Sequence, residues 1–310
     1  MSTLTGSATT VHTGTIDASP PSAARSTGPG RREALPSLVS QLLLALAALI
    51  AWLLVYLLVL SGFETSHDQD RLYGELRSQL AEGTAPVGAP IAAGAPVALV
   101  SVPSIDLENL VVVEGGRSEQ LKQGPGHMPG SVLPGQAGWS YVTGRSLTYG
   151  APFGRLTDLR KGDTIRVTTG QGEFTFEVFA SRREGDRVPA LSSADEARLT
   201  LVTSAGEGWF SGLRRSETYY VDAKLLGTPV VAGRVTGRDP QGIGMKAHAS
   251  AGQLAVLALA VQLLVLVLAG AVWAWFRWSR IGAWVTGLPT VLAVLWLVSS
   301  LVSRMLPAMI

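Results

Sequence analysis

The sequence predicts a mainly β domain carried by three transmembrane α-helices. Two kinds of segment point to this. Three long stretches contain no charged residue at all: Ala34 to Phe63, Ala251 to Phe276 and Ile281 to Ser303. Between two linkers rich in Gly, Pro and Ala lie about 130 residues, the usual size of one domain. That stretch is built from short β-branched runs bounded by turn residues and has almost no helical periodicity, which favours a small closed barrel or a sandwich.

Composition narrows the chemistry. The 310 residues are 47% hydrophobic and 15% charged, with mean hydropathy +0.29, against about 25% charged in ordinary soluble domains. The chain has no cysteine. Disulfide scaffolds, thiolate metal sites and thiol nucleophiles are excluded together. A net charge of +2 creates no field that would draw the chain to nucleic acid. The few histidines and carboxylates show no metal-ligand spacing and no calcium-type acidic cluster, so no metal or other cofactor is expected.

Taken in order, residues 1–36 are rich in Ser, Thr, Gly, Ala and Pro near the start and cannot bury a core, so a disordered cytoplasmic segment is expected. Residues 37–62 form the first span, since about 20 apolar residues cross a bilayer as helix. This run is too long for the apolar region of a signal peptide, and Leu60-Ser61-Gly62 is a poor cleavage site, so it reads as a retained anchor. Leu72, Leu76 and Leu80 recur every four residues within His67 to Glu82, one face of a short helix read as a juxtamembrane spacer. A linker completes residues 63–96. Strands are expected at Val97–Val102, Leu110–Val113, Thr164–Val167, Phe174–Val178, Leu199–Thr203 and Tyr219–Ala223, with Gly170-Gln171-Gly172 turning a hairpin. No helix follows these glycines, so they are not a phosphate cradle. Arg182-Arg183 and Arg214-Arg215 read as solvated loop charges.

Residues 228–250 form a second linker, then 251–276 and 281–303 form two spans joined by a tight turn. Tryptophans 273, 275, 278 and 284 cluster there, as rings at headgroup level do. Arg25, Arg31 and Arg32 precede the first span, and Arg277 and Arg280 lie in the turn. A cytoplasmic N-terminus, with residues 64–250 outside a plasma membrane crossed three times, puts both sets on the inner side.

The motifs of residues 97–227 resemble the sortases, most closely the class E type of high-GC Gram-positive bacteria. Val100-Ser101-Val102-Pro103-Ser104-Ile105 looks like the first-strand signature. Val113-Glu114-Gly115-Gly116, Leu121 to His127, Leu133 to Gly138, Tyr149 to Phe153 and Leu159 to Ile165 follow in the family's order. The resemblance implies an eight-stranded β-barrel and an extracellular transpeptidase that cuts a sorting signal and joins it to an amine. Its chemistry would need a cysteine thiolate, a histidine and an arginine.

Here those positions are altered. Arg145 in Val142-Thr143-Gly144-Arg145 stands where the family places histidine, and a guanidinium stays protonated. Ser204, ending Leu199-Thr200-Leu201-Val202-Thr203-Ser204, stands in the cysteine's place, and a serine is a poor nucleophile without a base. The family arginine falls near Thr218, with Arg215 a candidate through a shifted loop. His127 is the one histidine within the domain, and it reads as structural.

Three functions follow. The leading one is a pseudo-sortase binding a secreted or cell-wall peptide or protein in a groove lined by Arg145, Tyr149, Thr203, Ser204, Arg214 and Arg215, where a cation suits a carboxylate. The second is serine-dependent transfer or hydrolysis at Ser204. The third is a membrane scaffold using Gln262, Thr286, Pro289, Ser299 and Ser300 to meet a membrane-protein partner or a second copy.

Overall fold

The computed structural model describes residues 31–190, 193, 196–205, 217–233, 251–277 and 280–303. The expectations for residues 1–30, most of the second linker, the turn residues Trp278 and Ser279, and Arg214 and Arg215 fall outside them. The chain divides into two compact units, Met1–Leu49 and Ile50–Ile310. The first contributes helical residues from Arg31 onward.

Eight strands close into a barrel in the order β1-β2-β3-β4-β7-β8-β6-β5. They are β1 Pro96–Val102, β2 Leu107–Glu114, β3 Gly126–His127, β4 Gly138–Thr143, β5 Thr164–Thr169, β6 Gly172–Arg183, β7 Ala197–Ala205 and β8 Glu217–Leu225. Pairing is antiparallel except for β2 with β3 and β4 with β7. Alternate residues of the strands fill the interior, among them Val100, Val142, Ile165, Phe176, Leu201 and Val221, all fully buried. Thr169 pairs with Gly172 across the expected two-residue turn. A Cβ on Gly170 would come within 2.9 Å of the Ala85 carbonyl, so only glycine fits that close approach.

Six strands lie where the β-branched runs and the two alternating segments place them. β3 and β4 are additions that composition alone missed: β3 is two residues long, and β4 buries the polar Ser140 while leaving Trp139 and Tyr141 half-exposed, so its hydropathy does not follow its burial. β6 runs on to Arg183 through a register shift between Val178 and Ala180. This corrects the reading of Arg182 as a solvated loop charge. Its Nε donates to Asp222 Oδ2 at 2.8 Å, its side chain is 9% exposed, and its guanidinium lies 4.0 Å from the Tyr220 ring centre. Arg183 is exposed and pairs with Glu217.

Helix α1 spans Arg31–Val55, a π-helical turn follows at Tyr56–Leu60, and α2 spans Ser61–Glu82. The leucine stripe of α2 is not a spacer's face. Leu72 and Leu76 are buried against Val111 and Val113 of β2, with Leu80 and Leu99 alongside. The side-chain amide of Gln69 also bonds the edge of β2, accepting from Val111 N at 2.8 Å and donating to Val111 O at 3.1 Å. It thus supplies the backbone pairing that the short β3 cannot reach.

Helices α3, Ala251–Arg277, and α4, Arg280–Ser303, pack as a hairpin. The segments Leu46–Glu82, Leu254–Ala274 and Trp284–Ser303 are each long and apolar enough to cross a membrane. Large apolar side chains on them point outward, Leu266 being 69% and Val285 68% exposed, as a lipid surround requires. Ser299 is buried and accepts from Trp52 Nε1 at 3.2 Å. Gln262 is exposed.

Candidate functional site

The parallel pairing of β4 with β7 sets two strand ends side by side. Thr143 pairs with Val202, Gly144 N donates to Val202 O at 2.9 Å, and Thr203 Oγ1 donates to Gly144 O at 3.1 Å. Arg145, just after β4, and Ser204, in the last residues of β7, are far apart in sequence and are therefore brought to neighbouring strand ends. On the other side of β7, Ser204 pairs with Thr218 of β8. The three positions that the family resemblance singles out thus meet at one rim of the barrel. Gly144 is required there, since a Cβ would come within 2.5 Å of the Phe153 ring.

Arg145 is 1% exposed. Its Nε donates to Leu121 O at 3.2 Å, Nη1 to Thr148 Oγ1 at 3.1 Å, and Nη2 to Ser118 Oγ at 2.9 Å. The guanidinium also lies 4.7 Å from the Tyr149 ring centre, within cation–π range. Burial pushes its pKa down to about 10, partly countered by Tyr149, and it stays charged at neutral pH. In the expected cationic groove, the Arg145 charge lies beneath the surface and its donors staple two loops, because five fixed N–H groups suit loop oxygens as well as a ligand's carboxylate.

Ser204 is 7% exposed, and its Oγ lies 2.6 Å from Ser146 Oγ. Two hydroxyls in contact share a hydrogen bond, but neither is a base at neutral pH. Tyr149 is buried with φ +56°, a left-handed conformation rare for an aromatic residue. Its backbone N–H donates to Ser61 Oγ at 3.0 Å, which holds that conformation. Burial raises its phenol pKa, opposed by the hydrogen bond with Ser303.

A second constellation escaped the sequence reading. His127, 2% exposed, has Nδ1 2.7 Å from Glu114 Oε2 and Nε2 3.0 Å from both Ser131 Oγ and Val132 O. The row Ser131–His127–Glu114 has the outline of a hydrolase triad. The Val132 carbonyl also faces Nε2, so Ser131 Oγ shares that nitrogen with a backbone acceptor. Ser131 instead donates to Met128 O at 2.8 Å, and the cluster ties β2 and β3 to the following loop. Only the pairing register, Glu114 with His127, could have revealed it. Among the described residues no group of three His, Cys, Asp or Glu side chains could hold a metal ion.

Comparison with known proteins places this barrel. A family model described as a sortase domain matches residues 100–225. Sortase D of Bacillus subtilis (strain 168) is 33% identical over 84 residues, 27% of this chain and 40% of that protein, so the chain spans well under two thirds of that relative. Sortase E from Streptomyces avermitilis is 30% identical, covering 44% of this chain and 92% of that one, with a TM-score of 0.36. A Clostridium perfringens sortase D5 transpeptidase is 22% identical, covering 52% and 99%, with a TM-score of 0.42. Residues 100–225 therefore match a sortase domain, and the barrel they form is similar to the sortases.

Proposed function

We propose that this chain is a membrane-anchored, extracytoplasmic sortase-like protein that holds a peptide or protein partner at the cell surface without cutting it. One observation carries the reading. At the paired ends of β4 and β7, where the family resemblance calls for an imidazole and a thiolate, stand a buried arginine bonded to loop oxygens and a serine facing another serine. A guanidinium does not exchange protons at neutral pH, and a neighbouring serine hydroxyl does not act as a base toward Ser204. His127 does not serve Ser204, because the partners of its ring nitrogens are Glu114, Ser131 and Val132.

Two measurements on the full chain test this. A fluorophosphonate probe is expected to give no labelling that depends on Ser204; labelling abolished by Ser204→Ala means the site is catalytic. With a photo-crosslinking amino acid at the half-exposed Ser146, irradiation of native membranes is expected to trap a secreted or wall protein with its C-terminus intact. Recovery of trimmed products only would overturn the binding reading.

A further inference from the structure

The last turn of α4 reaches the barrel at one point. Ser303 Oγ accepts from Tyr149 Oη at 2.6 Å and from Lys122 Nζ at 2.8 Å, and it donates to Ser300 O at 2.7 Å. A hydroxyl has one hydrogen to give and two lone pairs to share, so Ser303 is fully used. Lys122 Nζ also donates to Ser300 O at 3.1 Å, the same carbonyl in the last described turn of α4 that Ser303 Oγ meets, and a cation is favoured near a helix C-terminus. The Lys122 ammonium and the Arg145 guanidinium lie 5.2 and 4.7 Å from the centre of the Tyr149 ring.

These contacts fall on the two loops that Arg145 joins. Arg145 begins the loop containing Thr148 and Tyr149, and it donates to Leu121 O and Ser118 in the loop containing Lys122. Each loop therefore has one residue held by α4, Tyr149 in one and Lys122 in the other, and a guanidinium tying it to its neighbour. From the α2 side, Ser61 Oγ accepts Tyr149 N–H and Thr65 Oγ1 donates to Lys122 O at 2.9 Å. Nothing in the barrel's own pairing requires the C-terminal hairpin, yet its final turn closes this network.

We propose that the end of α4 is a latch on the loop pair around Arg145, so that the order of the rim holding Arg145 and Ser204 depends on where the C-terminal hairpin sits. A change that draws α4 away from the barrel, such as engagement of the hairpin by another membrane helix, removes the α4 contacts of Tyr149 and Lys122 together, leaves those from α2, and loosens the loops that Arg145 staples. The inference needs no ligand and does not depend on whether the rim binds peptide.

Hydrogen exchange on the full chain in nanodiscs tests it. Ser303→Ala removes the shared acceptor, and Lys122→Met removes the other limb without touching α4. Each is expected to speed exchange of amides in 118–122 and 144–150 by about 3- to 10-fold, the range for one net hydrogen bond, with β5 and β6 unchanged. Unchanged exchange in both variants would overturn the latch. So would an equal rise across β5 and β6, which marks general destabilisation.

Discussion

A buried guanidinium opposes folding unless its hydrogen bonds offset the loss of water. At Arg145 the offset comes from Ser118, Leu121, Thr148 and the Tyr149 ring. Arg145→His, which restores the residue type that the family resemblance implies, is too short to reach all of these. It is expected to cost about 1–3 kcal/mol, the penalty for buried acceptors left unpaired, read as a lower Tm of the detergent-solubilised chain whether or not Ser204→Cys is added. An unchanged Tm would remove the stapling role. The pH dependence follows from the pKa that burial depresses to about 10. Both folded and unfolded chains keep the proton below about pH 10, so the burial penalty is constant there and is relieved only as the pH climbs above about 10. The Tm difference between wild type and Arg145→Met is therefore expected to stay flat from about pH 6 to about pH 9.

At the scale of elements, α2 is part of the barrel's packing. Leu76→Ala removes a fully buried side chain from the cluster with Val111 and Val113 and is expected to cost about 2–5 kcal/mol. Arg77→Ala on the exposed side is expected to stay within about 0.5 kcal/mol; equal losses in denaturant titrations would contradict this docking. The leucine spacing was legible because a helix repeats every 3.6 residues. What the leucines face was not, because β2 lies some 40 residues further on. The same holds for Arg182: a dibasic pair looks solvated until the extension of β6 lays it over Asp222 of β8.

At the scale of the whole molecule, the lack of cysteine makes topology testable with single introduced cysteines. Gly185→Cys, in the exposed β6–β7 connection, is expected to react with a membrane-impermeant maleimide in intact cells. Arg277→Cys, in the hairpin turn, is expected to react only after permeabilisation, and the reverse pattern would invert the proposed orientation. The sequence by itself determined the three apolar helices, six strands of the barrel and the loss of thiol chemistry. Apolar length, a period of two and residue identity are local properties that need no partner. Only the tertiary structure decided that Arg145 is a buried staple, that His127 is locked by Glu114 and Val132, and that α4 closes on Tyr149 and Lys122. Those outcomes depend on which distant atoms meet each donor, and that is set by strand register and helix docking, which no local pattern encodes.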